Sequence, residues 1–223
     1  LLFRKVEAGH DELHLSRFNF HDLCKEVYSY FIQQAHSKNI TYLFDCPNSD
    51  LHLVGDREKL EIVLFNLLSN ALKYTPEGGT VRFQLIDDAS QVHVEVSDTG
   101  YGIAADEGEK LFERFYQAKP GDRAAKPGFG IGLYLAKQFT MLHAGNLHYS
   151  STLGKGTTFT LELLKENPQF SQHPLQATMP PASILLDEAM PREASEKKVK
   201  NSLAKHLKEE LITDRKSLLI VDD

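Results

Sequence analysis

Apolar residues recur with a helical period along Asp56 to Pro76, DREKLEIVLFNLLSNALKYTP, and the rest of the chain is arranged around that stretch. Leu60, Val63, Leu64, Leu67 and Ala71 share one face, and Phe65, Leu68 and Leu72 extend it most of the way round. That pattern predicts a largely buried helix. Asp56 can cap its first turn, Glu58 suits the positive end of the helix dipole, and Pro76 helps to end the run. Against this background Asn66, Asn70 and Lys73 recur at i, i+4 and i+7 as one polar stripe. Burying amides and an ammonium without partners is costly. The stripe is therefore expected to face something polar that the chain does not supply. Two amide oxygens and a cation on one face suit a metal-bound polyphosphate; a solvated stripe on a half-exposed helix is the plainer alternative.

Ahead of this helix, Leu1 to Ala8 reads as the end of a helix stopped by Gly9, with its beginning expected upstream of the chain. Glu12 to Phe18 alternates as a short strand. Asn19 can cap a helix over 20–36, with Leu23, Val27, Tyr30 and Phe31 inward, and Ile40 to Phe44 and Leu51 to Val54 are brief strands. Beyond Pro76, Gly78-Gly79 turns the chain into a hairpin. Val81, Phe83 and Leu85 alternate on its first strand and Val92, Val94 and Val96 on its second. Glu109 to Phe115 is a short helical piece, and Tyr116 to Gly128 is a polar, basic loop. Gly130 to His143 is predicted as a helix packed through Leu133, Leu135, Ala136, Phe139 and Leu142. Asn146 to Ser151 and Thr157 to Leu164 form a last hairpin. Helices segregated from a mostly antiparallel sheet make an α+β body of two layers. After Leu164 the character changes. Glu166 to Arg192 carries five prolines and reads as a linker, Val199, Leu203, Leu207 and Leu211 mark an amphipathic helix, and Lys216 to Asp223 is an apolar strand ending in two carboxylates.

Composition narrows the picture further. The 223 residues fit one domain with appendages or two small domains, and 41% hydrophobic with 25% charged residues are globular values. A formal charge of −6 argues against a broad nucleic-acid surface. Cys24 and Cys46 are too few for a disulfide framework and lack metal-ligand spacing, which points to a reducing compartment. No signal peptide is present, and no apolar run approaches the roughly 18 residues that span a bilayer. A membrane anchor would lie outside this chain.

Three glycine-bearing stretches surround the stripe. Asp98 ends a strand with Gly100 and Gly102 just beyond; the glycines let backbone approach a ligand, and a carboxylate accepts from an exocyclic amine. Taken alone, that spacing is equally an ordinary Asp-Gly turn. Gly128-Phe129-Gly130-Ile131-Gly132 opens a helix, whose free N–H groups favour phosphate. Neither a Walker loop nor a dinucleotide fingerprint is present, because no Gly-Lys-Ser/Thr follows and no strand precedes. Gly154-Lys155-Gly156-Thr157 by itself is a hairpin turn.

Together these stretches resemble the ATP-binding domain of sensor histidine kinases, in the superfamily shared with type II topoisomerase, mismatch-repair and chaperone ATPases. NLLSNALKYTP looks like the N box, DTGYGI the first glycine box, FERFYQ the phenylalanine box, GFGIGLYLAKQFTMLHAG the second glycine box and GKGTTFTLELL the closing strand. The resemblance runs from Leu13 to Leu164 with every motif in family order. It implies a two-layer α/β sandwich whose mixed, mostly antiparallel sheet carries helices on one face. LLFRKVEAG resembles the end of the dimerisation and phosphoacceptor hairpin, and SLLIVDD the first strand of a receiver domain. The implied organisation is therefore a hybrid kinase trimmed at both ends: 1–10 from the hairpin, 11–165 the catalytic domain, 166–215 a linker with a helix, and 216–223 the receiver's start.

Carried over by position, the resemblance implies ATP and Mg²⁺ as cofactors. Asp98 accepts from the adenine amino group, with a water held by Thr157. Asn70 coordinates Mg²⁺, Asn66 lines the same pocket, Lys73 meets the phosphates and Tyr74 packs beside the base; Asn66 and Lys73 are the implied catalytic pair. Gly100, Gly102 and Ile103 admit the base, while Gly128, Gly130, Ile131, Gly132 and Leu133 shape the cover over the triphosphate. Phe112 and Phe115 anchor its near end or are plain core aromatics, and Lys119, Arg123 and Lys126 are phosphate contacts or solvated loop charges. Many relatives carry Arg where Gln117 stands. His10-Asp11-Glu12 has the order of a phosphoacceptor box but follows the helix stop and lacks the Arg-Thr-Pro continuation, so it is set aside.

The expected function is then Mg·ATP binding and transfer of the γ-phosphate to a histidine on a helix outside the chain, for relay to a receiver aspartate. The implied whole protein is a homodimer, the cytoplasmic part of a membrane-anchored sensor, with no nucleic-acid contact by this portion. Two other readings stand beside it. One is a nucleotide-insensitive docking module on the same fold. The other is an ATPase of the topoisomerase or chaperone branch, which usually carries a general-base Glu where Asn66 stands.

Overall fold

The computed structural model describes residues 13–105, 107–117 and 130–170. Contacts divide the chain into two compact units, and all described residues but Leu13 belong to His14–Thr178. Apart from Leu13, the other unit, Leu1–Leu13 with Met179–Asp223, lies outside them. So do several expectations: the helix end at Leu1–Gly9, His10, Gly128, the cations Lys119, Arg123 and Lys126, the helix near 193–211 and the strand at 216–223.

Seven strands and three α-helices are found among the described residues: β1 (Leu15–Asn19), α1 (Phe20–Ser37), β2 (Thr41–Asp45), β3 (His52–Asp56), α2 (Arg57–Tyr74), β4 (Thr80–Asp87), β5 (Gln91–Asp98), α3 (Gly132–Leu142), β6 (Asn146–Thr152) and β7 (Gly156–Leu164). Short 3₁₀ turns occupy Gly108–Phe112 and Pro168–Phe170. The main sheet runs β2-β4-β5-β7-β6, parallel only between β2 and β4, and β1 pairs antiparallel with β3 in a separate ribbon. The two-residue period of the strands separates its faces. Val81, Phe83, Leu85, Val92, Val94, Val96, Phe159, Leu161 and Leu163 all point inward and are buried, whereas Arg82, Ile86 and their alternates are half or fully exposed. One covered face and one open face place the helices on a single side of the sheet. Each inward Val, Leu or Phe contributes roughly 1.5–3 kcal/mol of hydrophobic stabilisation.

Both central helices begin where their caps predict. The Asn19 side chain accepts from Asp22 N–H to start α1, and Asp56 accepts from Lys59 N–H to start α2. Phe31 of α1 meets Phe65 of α2 at 4.8 Å between ring centroids. α3 begins at Gly132 rather than Gly130, because Gly130 sits at φ +70, outside the helical region. Leu135, Ala136 and Phe139 of α3 are buried as expected, while Leu133 and Leu142 are only half-buried.

A buried polar node joins the start of α2 to the end of α3 and to the residue that precedes β1. Asp56 accepts from His14 N–H at 3.0 Å and from the Lys59 ammonium, and its own N–H donates to His143 Nε2 at 2.9 Å. His143 Nδ1–H donates to the Phe139 carbonyl at 2.6 Å, which sets the neutral tautomer. Burial pushes the His143 pKa below 6.5, against opposing pulls from the Phe139 carbonyl and the Asp56 charge, with Lys59 adding to the depression. At Asp56 burial alone raises the carboxyl, but the His14 N–H and the Lys59 contacts outweigh it and the net shift is downward.

The sign for stability follows. A histidine depressed in the folded state binds fewer protons there than in the unfolded chain, so its stabilisation is full above pH 6.5 and is lost as pH falls through the folded value. Urea unfolding at stepwise pH below 6.5 is expected to show stability falling, with a limiting slope for this one proton of about 1.4 kcal/mol per unit. A His143→Gln chain, whose amide can make both bonds without titrating, should show the flatter profile. Parallel profiles would exclude His143 as the titrating group.

Candidate functional site

The polar stripe of α2 runs from the core to the surface: Asn66 is buried at 7% exposure, Asn70 and Lys73 are half-buried, and Tyr74 is exposed. Asn66 donates through Nδ2 to the Ile62 carbonyl one turn back, at 2.9 Å, so half of that amide is satisfied inside its own helix. Its Oδ1 lies at the mouth of α3, where a Cβ on Gly132 would come within 2.5 Å of it. Glycine at 132 thus lets the start of α3 close on the stripe. The Lys73 ammonium stands 4.9 Å from the Tyr74 ring centroid, at the outer end.

The second wall follows from strand periodicity. Val92, Val94 and Val96 point inward, so Asp98 is the next inward position, a carboxylate at the end of an apolar row. Its Oδ1 accepts from Gly100 N–H at 2.7 Å. Burial raises the Asp98 pKa, and hydrogen bonds from the Gly100 and Thr157 backbone N–H groups only partly offset that rise. A Cβ on Gly100 would press on Asp98 Oδ1 and the Tyr74 carbonyl, both at 2.6 Å. Gly102, at φ +67, abuts the Thr152 carbonyl so closely that a side chain has no room. Ile103 is half-buried and its N–H donates to Ser151 Oγ at 2.8 Å. The Asp98–Ile103 loop is therefore pressed against the end of α2 on one side and the β6–β7 hairpin on the other.

Thr157, opposite Asp98 in the β5–β7 register, is buried at 6% exposure. Gly130 packs against the backbone of Phe115 and Tyr116, and Ile131 is buried beside it. The phenylalanine box divides: Phe112 is buried, its ring 5.1 Å from the Lys137 ammonium and 6.1 Å from the Tyr149 ring, whereas Phe115 is half exposed at the left-handed φ of 59. Reasoning from sequence gave Ser151 and His143 no role and read Gly156 only as part of a hairpin turn, although each meets a residue far along the chain: Ile103, Asp56 and Asp98 respectively. An inward-pointing Ser at the strand end was the available signal for Ser151.

A helix-covered mixed sheet, with a half-buried carboxylate ending a central strand and glycine-cleared walls beside it, places the molecule among two-layer α+β nucleotide-binding domains. The family of histidine kinase-, DNA gyrase B- and HSP90-like ATPases matches residues 55–167, and the chain belongs to it. Within that family it is an ATP-binding catalytic domain of the histidine kinase type. Over 164 residues it is 34% identical to Histidine kinase P4 of Formosa agariphila, covering 72% of this chain and 12% of that protein. With the sensor histidine kinase WalK of Bacillus subtilis it shares 35% identity over 133 residues, 59% of this chain and 22% of WalK. Its fold superposes on the nucleotide-free catalytic domain of histidine kinase ThkA with a TM-score of 0.61 at 29% identity, covering 69% of this chain and 99% of that one. Full-length ShkA in complex with AMPPNP gives 0.63 at 28% identity, covering 73% of this chain and 34% of ShkA. The chain thus spans only a small part of the curated kinases it matches.

Proposed function

We propose that this chain binds Mg·ATP between α2, the Asp98–Ile103 loop and the start of α3, and supplies the γ-phosphate to a histidine on a dimerisation helix beyond the chain. The observation that carries the reading is Asp98: a half-buried acceptor, held by backbone N–H groups, on a wall where glycines keep side chains out of the way. That acceptor and clearance fit a purine amine, which donates. In this reading Asp98 accepts from the adenine amino group, Gly100, Gly102 and Ile103 bound the base, Tyr74 lies beside it, and Thr157 stands next to Asp98. Lys73 meets the phosphates, Gly130, Ile131, Gly132 and Leu133 shape the phosphate side, and the hard amide oxygen of Asn70 suits Mg²⁺, with Asn66 lining the same pocket. Bound magnesium neutralises phosphate charge; the chain's own residues contribute mainly positioning, which is what phosphoryl transfer requires.

Asn66 favours transfer over hydrolysis, since an amide, unlike a carboxylate, has no basic site to take a proton from water. ThkA has been solved in complex with the response regulator TrrA, a match at TM-score 0.60 and 26% identity that covers 75% of this chain and 47% of that one. By analogy the partners here are a phosphoacceptor hairpin and a receiver domain, in a homodimeric whole protein. No described helix is long and apolar enough to cross a membrane; the cytoplasmic side of a membrane-anchored sensor is the setting this reading assigns. With γ-labelled ATP, label is expected on the histidine of a phosphoacceptor hairpin supplied in trans and not on this chain alone. Stable label on the isolated chain would contradict the assignment.

A further inference from the structure

Asp98, Thr157 and Ser151 occupy one cross-strand row. Asp98 pairs with Thr157 between β5 and β7, and Thr157 with Ser151 between β7 and β6. Cross-strand partners point to the same side of a sheet, so the three form the polar end of an otherwise apolar inner face.

Within this row, hydroxyl valence decides the direction of each hydrogen bond. A serine hydroxyl has one proton and two lone pairs. Ser151 gives its proton to the Gly156 carbonyl at 2.9 Å, since a carbonyl can only accept. One lone pair takes the Ile103 N–H at 2.8 Å. What remains for Thr157 Oγ1, at 2.9 Å, is the second lone pair, so Thr157 is the donor in that bond. Its only proton is thereby turned away from Asp98, and lone pairs alone are left for a ligand. Asp98, with Oδ1 on Gly100 N–H, likewise offers an acceptor.

We infer that Ser151 is a positioning residue that sets the polarity of the base-reading end of the pocket. Through it Asp98 and Thr157 present acceptors together, selecting a purine with an exocyclic amine and rejecting one with a carbonyl in that place. The inference rests on the ATP-binding reading above. A water bridging Asp98 and Thr157 leaves the demand unchanged, because it spends both protons on them and turns its lone pairs to the base.

The test compares Mg·ATP with Mg·ITP by calorimetry; in ITP the amine becomes a carbonyl and the adjoining ring nitrogen gains a proton. Wild type should prefer ATP. Ser151→Ala frees the Thr157 proton to turn toward the base, so the ATP/ITP preference should shrink about tenfold, the scale of one misdirected buried hydrogen bond. Thr157→Val, which removes that hydroxyl and leaves the Ser151 anchor in place, should shrink it similarly, while Ser151→Thr should restore the wild-type ratio. A purely structural role for Ser151 weakens both nucleotides alike: an unchanged ratio in Ser151→Ala and Thr157→Val overturns the inference and leaves ATP binding standing. A wild-type chain that binds neither nucleotide removes both.

Discussion

Replacing Asp98 with Asn is expected to weaken Mg·ATP binding roughly a hundredfold while leaving the nucleotide-free chain at least as stable. The carboxylate carries acceptors only: the Gly100 and Thr157 backbone N–H groups take part of that capacity, Gly100 on Oδ1, and the remaining lone pairs are left for the base. An amide can satisfy only one of these demands. With its oxygen toward Gly100, its N–H₂ meets the base amine donor to donor; flipped, it meets the Gly100 N–H the same way. Leaving one buried donor unmatched costs about 1–3 kcal/mol, and the upper end corresponds to the stated loss.

Stability moves the other way. Burial raises the Asp98 pKa, so its contribution to folding is favourable below the unfolded value near 3.8 and is lost as pH rises through the folded one. At neutral pH the charged Asp98 therefore destabilises the empty domain, and the neutral amide relieves that cost. Calorimetry with Mg·ATP and a melt without nucleotide separate the two effects. Unchanged affinity would place the base elsewhere.

This opposition between binding and stability explains which parts of the molecule were legible in its sequence. β4, β5 and β7 could be read from alternation because the sheet has one covered and one open face, so each inward Val, Leu or Phe contrasts with its neighbours. Asn19 and Asp56 could be read as caps because capping is decided within three residues. Asp98 and the α2 stripe stood out for a related reason: each is a local violation of an apolar pattern. His143 did not stand out, since its partner, the N–H of Asp56, lies 87 residues away, and an isolated histidine carries no period. Ser151 and Gly156 were hidden in the same way, because strands adjacent in the sheet, rather than their sequence neighbours, constrain them. The parallel pairing of β2 with β4 has no counterpart in either strand's composition.

Gly156 gives the clearest test of that long-range constraint, and Gly156→Ala is expected to destabilise the domain by about 3 kcal/mol. Two costs combine. The residue sits at φ +123, where an L side chain is strained by about 1–2 kcal/mol. A Cβ there would also run into the Asp98 carbonyl, a backbone atom that cannot rotate aside. Relief requires β7 to shift against β5 at the rung that holds Asp98 opposite Thr157. For a body of this size the loss corresponds to a fall in melting temperature of roughly 6–12 °C. Gly154, two residues earlier at φ +80, has open space around its Cα, so Gly154→Ala carries the strain without the collision. It should lose about 1 kcal/mol and retain nucleotide affinity, whereas Gly156→Ala should lose affinity as well, because the displaced backbone carries Asp98 with it. Equal melting temperatures and equal affinities for the two variants would mean that the close approach of the hairpin does not hold Asp98 in place.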